Sequence, residues 1–138
     1  METKKASGRD LTVGHDVMDG EHGVQVQLVE ALQAALTEGA DRGHAEEILD
    51  RLLVFTDMHF GSEELLMRLH SYPRYGLHVD EHRRLLDSLR EIHARIQQGH
   101  QPANLVDDLR RWLVGHIAGM DRDFAAHAAG DSPAAAGS

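Results

Sequence analysis

Apolar side chains recur along this chain at alternating steps of four and three residues, the spacing that gathers them on one face of an α-helix. They do so in four stretches. The first is expected to run from Met18 or Asp19 to about Glu38, with Met18, His22, Gln25, Val29, Leu32 and Leu36 turned inward. The second spans about His44 to His70 and carries Ile48, Leu52, Phe55, His59, Glu63 and Leu66, with Leu49, Phe60 and Met67 beside them. Pro73 stops it, since proline cannot continue a helix. The third ends near Gln98 and has an unbroken seam of His78, His82, Leu85, Leu89, Ile92 and Ile96. The fourth has Pro102 in its first turn and ends near Ala129, with Leu109, Leu113, His116, Ile117 and Phe124 among its inward positions. Leu105, Trp112, Met120 and Asp121 are assigned to the same face. Gly39 and Gly43 bracket the first turn, with Asp41 as a candidate cap, and Gly99 closes the third helix.

Four helices on short links imply an all-α fold, an up-down-up-down antiparallel four-helix bundle with an extended N-terminal arm over Leu11 to Asp16. The expected division is a flexible N-terminus at 1–10, a bundle at 11–129 and a disordered tail at 130–138, where large apolar groups are lacking.

Composition narrows the chemistry. The 138 residues suffice for one domain. There are no cysteines, which removes disulfides and thiolate ligands. With 23 acidic against 14 basic residues the formal charge is −9, so nucleic acid is a poor partner. The start, Met-Glu-Thr-Lys-Lys, leads into no apolar signal region, and no apolar run is long enough to span a bilayer. A cytoplasmic protein without a membrane partner is expected. Eleven histidines are the anomaly, and they are scattered rather than consecutive.

Five of these histidines and two carboxylates fall on inward faces: His22, His59 with Glu63, His78 with His82, and His116 with Asp121. Antiparallel helices place all seven at one end of the bundle. Burying so many polar groups in one layer is costly unless something coordinates them, and a metal is the simplest candidate. Asp121 fits least well, because a five-residue step turns it about 140° from His116 on a regular helix. Asp123 is a second carboxylate nearby. Two octahedral ions have twelve coordination positions; five nitrogens, two bridging carboxylates and one bridging oxygen leave a single vacancy, suited to a diatomic ligand. Manganese or cobalt would satisfy the same count. His15, His44, His70, His93, His100 and His127 read as surface or rim, and the pairs Glu46-Glu47, Asp80-Glu81 and Asp107-Asp108 as solvated faces.

Four strings now stand in order: Gly-x-x-x-(Met/Ile)-Asp-x-x-His at Gly14 to His22, His-Phe-x-x-Glu-Glu at His59 to Glu64, His-x-x-x-His at His78 to His82, and His-Ile-x-x-x-Asp at His116 to Asp121. Together they make the chain resemble the hemerythrin family, in particular its bacterial single-domain members, over about residues 11 to 127. The resemblance implies two iron ions (Fe2+/Fe3+) with a bridging oxo or hydroxo group, and reversible binding of dioxygen for storage, delivery or scavenging. By similarity His78, His82 and His116 would saturate one iron, His22 and His59 would hold the iron with the vacancy, and Glu63 and Asp121 would bridge. Phe60, Trp112, Leu113 and Ile117 match the family's oxygen-pocket lining, and serve equally well as plain core.

Glu21 stands where the family usually has Gln. It either acts on a ligand from outside the first coordination sphere, hastening loss of bound oxygen, or points to solvent. The histidine-rich donor set favours binding over oxidation, so an oxygen-binding protein is expected rather than an enzyme. The alternatives are an oxygen or redox sensing module, and a di-iron peroxidase or oxidase. An oxygen-consuming enzyme or a signalling partner is the corresponding macromolecular partner.

Overall fold

The computed structural model describes residues 12–39 and 41–130. The expected flexible segment at 1–10, the arm residue Leu11 and the tail from 131 lie outside them. Helix α1 spans Asp16–Thr37. It starts before the expected Met18 because His15, in an extended conformation, caps it: His15 Nδ1 accepts from the Met18 N–H at 3.3 Å. Asp19 then accepts from the Val13 N–H at 2.7 Å, and Arg122 donates to the Thr12 carbonyl at 3.1 Å. These two bonds lay the arm against the bundle. At the other end the chain leaves α1 through Gly39, whose φ of +73° suits a residue without Cβ.

Helix α2 covers Arg42–Leu69, and Asp41 caps it by accepting from the His44 N–H at 2.8 Å. Gly43 therefore lies inside α2 rather than in the turn. The inner face of α2 is rotated slightly from the expected one. Thr56 and Leu49 are fully buried, whereas Ile48, Phe55 and Leu66 are half-buried shoulders. Thr56 was missed as a polar residue in an apolar stripe; its hydroxyl accepts from Gln25 Nε2 at 3.2 Å, which links two buried polar side chains between α1 and α2.

Helix α3 covers Tyr75–Gln97, and every position of its expected seam is buried. The fourth helix of the bundle is continuous but not uniform. It comprises α4 (Ala103–His116), a π-helical turn (Ile117–Asp121) and α5 (Arg122–Gly130), with Pro102 just before the first turn rather than within it. The chain is thus helical to Gly130, where the tail was expected to begin. Helices α1 and α2, α2 and α3, α1 and α4, and α3 and α4 pack side by side, closing an antiparallel four-helix ring.

Two apolar clusters fill the ring. The larger one includes Val29, Leu32, Leu49, Leu52, Leu89 and Ile92. A smaller one of Met18, Met67, Tyr72 and Phe124 closes the other end. The seven polar residues singled out above lie between them. Because Leu32 and Leu89 are essentially inaccessible in the large cluster, truncating either leaves a cavity that the surrounding helices only partly fill. Leu32→Ala and Leu89→Ala are each expected to destabilise the protein by about 2–5 kcal/mol in denaturant unfolding.

Candidate metal centre

His22 lies in the second turn of α1, His59 and Glu63 late in α2, and His78 and His82 early in α3. His116 ends α4, and Asp121 ends the π turn. All seven are buried, none more than 4 % exposed. Alternating chain direction brings these sequence-distant positions to one level.

Asp121 reaches that level by a departure from the α-helix. On a regular helix the residue sharing the face of His116 would be Met120, which is only half-buried. The π turn hydrogen-bonds across five residues instead of four, and so admits one extra residue. Asp121 takes the inward place, with Oδ1 3.1 Å from His116 Nε2. Asp123, the other nearby carboxylate, faces outward and pairs with Arg74 at 3.2 Å.

The two carboxylates divide their oxygens in the same way. Glu63 Oε1 lies 3.0 Å from His78 Nε2 and 2.9 Å from His82 Nε2, while its Oε2 lies 3.6 Å from His59 Nε2 and 3.8 Å from His22 Nε2. Asp121 Oδ1 lies 2.8 Å from His78 Nε2, while its Oδ2 is 2.9 Å from His22 Nε2. One oxygen of each carboxylate thus lies on the side of His78, His82 and His116, Glu63 meeting the first two and Asp121 the first and last, and the other oxygen lies toward His22, with His59 beside that of Glu63. The donor atoms form two groups, Glu63-His78-His82-His116-Asp121 and His22-His59-Glu63-Asp121, each within a span of 4.8 Å.

Apart from the His78–Asp121 pair at 2.8 Å, this proximity is not hydrogen bonding. Among the buried atoms without a hydrogen-bond partner are the Nε2 atoms of His22, His59, His82 and His116, both oxygens of Glu63 and Asp121 Oδ2. Native proteins leave few buried polar atoms unsatisfied. A group of them aimed at two common points is what a pair of cations would satisfy, and the imidazole and carboxylate donors fit transition-metal ions. The residues form a buried di-metal-binding cluster.

A second layer of carboxylates holds the ring orientations. His59 Nδ1 donates to Glu21 at 2.6 Å, and His82 Nδ1 to Glu64 at 2.9 Å. Such partners fix which nitrogen carries the proton and leave Nε2 free to coordinate. Of the two positions open to Glu21 from sequence, the structure selects the one against His59. Glu64 was given no role by sequence reasoning, although it adjoins Glu63 in the His-Phe-x-x-Glu-Glu string. Glu81, expected on a solvated face, is half-buried with Oε1 3.9 Å from His116 Nδ1.

Aromatic rings cover the cluster. Phe60 stacks on His82 with centroids 3.7 Å apart, and Trp112 on His116 at 5.1 Å. Leu113 and Ile117 are buried in the large apolar cluster with Phe60, whereas Trp112 is half-buried at its edge.

Protonation of the metal-free cluster follows from this crowding. Burial pulls His22 and His78 down, but the carboxylates of Asp121 and Glu63 outweigh it and raise both from 6.5 to about 9. Glu63 is pushed up by burial and by the charge of Asp121, yet the facing His22, His78 and His82 carry it down from 4.5 to about 2. Asp121 is likewise held well below the usual carboxylate range by the surrounding histidines despite its burial. The raised histidines stabilise the fold fully below pH 6.5 and stop doing so as pH climbs through 9; the depressed Glu63 does so above pH 4.5 and ceases as pH falls through 2. The metal-free protein is therefore expected to melt highest between pH 4.5 and 6.5 and to lose stability toward pH 9. Metal uptake at neutral pH should release protons, measurable in a weakly buffered indicator solution, and thermal melts of the loaded protein should lose the alkaline decline.

Comparison with known proteins comes to the same place. The family described as hemerythrin HHE cation binding domain matches residues 13–128. A bacteriohemerythrin of Stenotrophomonas maltophilia is 32% identical over 120 residues, covering 84% of this chain and 76% of that protein. One from Aquifex aeolicus is 30% identical, covering 79% and 86%, and one from Pseudomonas aeruginosa 29% identical, covering 83% and 75%. No solved structure gave a significant match.

Proposed function

The chain belongs to the hemerythrin family, and on that premise we propose that it binds dioxygen reversibly at two iron ions joined by an oxo or hydroxo bridge. The observation that carries the reading is the split of both carboxylates: one oxygen of each lies among the His78, His82 and His116 group and the other on the side of His22 and His59. His78, His82 and His116 would complete one ion with Glu63, Asp121 and the bridge. His22 and His59 would leave the other one ligand short. When bound, such an iron pair supplies two electrons and one open position for a diatomic molecule.

The chain's own residues supply everything around that position. Glu63 and Asp121 would hold both ions, and Glu21 and Glu64 fix His59 and His82 through their Nδ1 protons. The apolar clusters above and below would keep water away from that position. Phe60, Leu113 and Ile117 are proposed to line the oxygen position, with Trp112 closing its edge. A histidine-rich set with only two carboxylates supports binding over oxidation catalysis, and the bundle over residues 11–129 is the proposed functional unit. Storage, delivery to an oxygen-consuming enzyme and scavenging all draw on this one site. No helix among the described residues is long and apolar enough to cross a membrane.

An anaerobic optical titration of iron-quantified protein tests the reading. Two irons per chain and a charge-transfer band that appears with oxygen and vanishes on its removal are expected. Irreversible conversion to a ferric form on first exposure would overturn it. Glu21 and Glu64 give a second test. Removing either carboxylate frees a ligand ring, so Glu21→Ala and Glu64→Ala should each weaken metal retention against a chelator by about 10–100-fold. Glu21→Gln keeps an acceptor for the His59 proton and removes the charge; its oxygenated form should outlast that of the unaltered protein, read as slower decay of the visible band.

A further inference from the structure

Among the described residues, the buried side-chain atoms left without a hydrogen-bond partner belong to the seven cluster residues, with one exception, Gln25 Oε1. Gln25 is 1% exposed, and its Nε2 is tied to the equally buried Thr56. The oxygen of the same amide meets no donor. An acceptor shut away from water in this way costs free energy. The next inward positions on the same two helices, Val29 and Leu52, are filled by apolar side chains at no such cost. An apolar residue at position 25 would pack as they do, so the amide calls for a reason beyond packing.

Its position supplies one. Gln25 lies one turn beyond His22 on α1, and Thr56 one turn before His59 on α2. The two helices are antiparallel, so both residues meet the layer from the same side, that of the large apolar cluster containing Val26, Val29 and Leu52. A three-residue step is only about 4.5 Å along a helix. Long side chains on a helix lean toward its N-terminus, which on α1 carries the Gln25 amide back toward the level of His22. The rings of His22 and His59 stand edge to face with centroids 4.9 Å apart. The amide therefore adjoins the donor group His22-His59-Glu63-Asp121, which has one residue fewer than the group containing His78, His82 and His116. Phe60, Leu113 and Ile117, in the same apolar cluster, offer no hydrogen bond to anything bound there.

We propose that Gln25 contacts the small ligand taken up at the open position, through a hydrogen bond between its amide and the ligand's outer atom, and that Thr56 is the positioning residue that holds the amide there. The proposal rests on the reading of the site as an iron pair with one vacancy. A threonine hydroxyl both donates and accepts, so the amide can present either end while keeping its bond to Thr56. With Nε2 on Thr56, Oε1 accepts from a ligand that carries a proton. Turned over, Oε1 accepts from Thr56 and Nε2 donates to a ligand with a negatively charged outer atom. The pair thus selects, among molecules of two or three atoms, those that are charged or proton-bearing over neutral apolar ones of the same size. Hydrogen bonds to charged groups are the stronger kind, and more so away from water.

Azide, a triatomic anion whose bonding to ferric iron gives a charge-transfer band, is the probe, titrated into the oxidised, iron-loaded full chain. The unaltered chain should bind it saturably. Gln25→Leu should keep its iron and weaken azide by roughly tenfold or more, the loss of one hydrogen bond to a charged group. Thr56→Val should weaken it less, since it frees the amide without removing it, and Thr56→Ser, which keeps the hydroxyl, should bind as the unaltered chain does. Without metal, Gln25→Leu combined with Thr56→Val should melt no lower than the unaltered chain, because exchanging both partners for apolar groups is close to neutral. Azide affinity unmoved by Gln25→Leu, or no azide band in the unaltered chain, overturns the proposal. So does weaker binding that merely tracks loss of iron, or a metal-free double variant that melts well below the unaltered chain; either makes the pair an ordinary core bond. Reversible oxygen uptake with azide affinity unmoved by Gln25→Leu sinks this proposal alone. A Gln25-dependent azide band in a chain that oxygen oxidises irreversibly sinks only the reading of reversible oxygen binding.

Discussion

Nitrogen and oxygen lone pairs withdrawn from water must find a proton or a cation, and this bundle withdraws those of five imidazoles and two carboxylates in a single layer. Mutual hydrogen bonding satisfies only part of them, since His78 pairs with Asp121 while both oxygens of Glu63 remain unmatched. The rest of the fold accommodates that layer. Apolar packing is divided into two clusters by it, the arm before α1 is tied down close to it, and the last helix changes its hydrogen-bonding pattern at its level. Protons hold the metal-free cluster together through raised histidines and depressed carboxylates. A pair of cations would satisfy the same lone pairs in place of those protons.

The sequence made the bundle legible where one face is apolar and the other charged. In α3 the seam from His78 to Ile96 is unbroken, and all six positions are buried. The phase of α2 was harder, because Ile48, Phe55 and Leu66 are as apolar as the residues that won the interior, and because Thr56 gives no apolar signal. Only the partner on α1, Gln25, shows why a hydroxyl belongs there. Glu21 could not be placed for a related reason. A carboxylate next to a buried histidine on the same helix reads as solvated, and its target, His59, belongs to another helix. Periodicity describes one helix at a time, whereas this pairing depends on how two of them are set against each other.

Glu21 and Glu64 also make the two halves of the cluster alike in one respect. Each half contains one histidine whose outer nitrogen is anchored by a carboxylate, His59 in one and His82 in the other. They differ in donor count, and the shared Glu63 and Asp121 couple them, so a change at one half is felt at the other. The stacked rings of Phe60 and Trp112 lie over His82 and His116, both on the five-donor side.

The π turn from Ile117 to Asp121 places a constraint of an unusual kind on this stretch. Ala118 and Gly119 between the two site residues have no part in the cluster, and nothing lies within 4 Å of where a Cβ on Gly119 would be. Their identity is therefore loosely held, whereas their number is bounded from above. One residue fewer would let the helix close into regular α geometry and still carry the aspartate on the face of His116; one residue more would turn it away, and Phe124 with it. An upper limit on length, rather than a demand on composition, is what the site imposes on this segment.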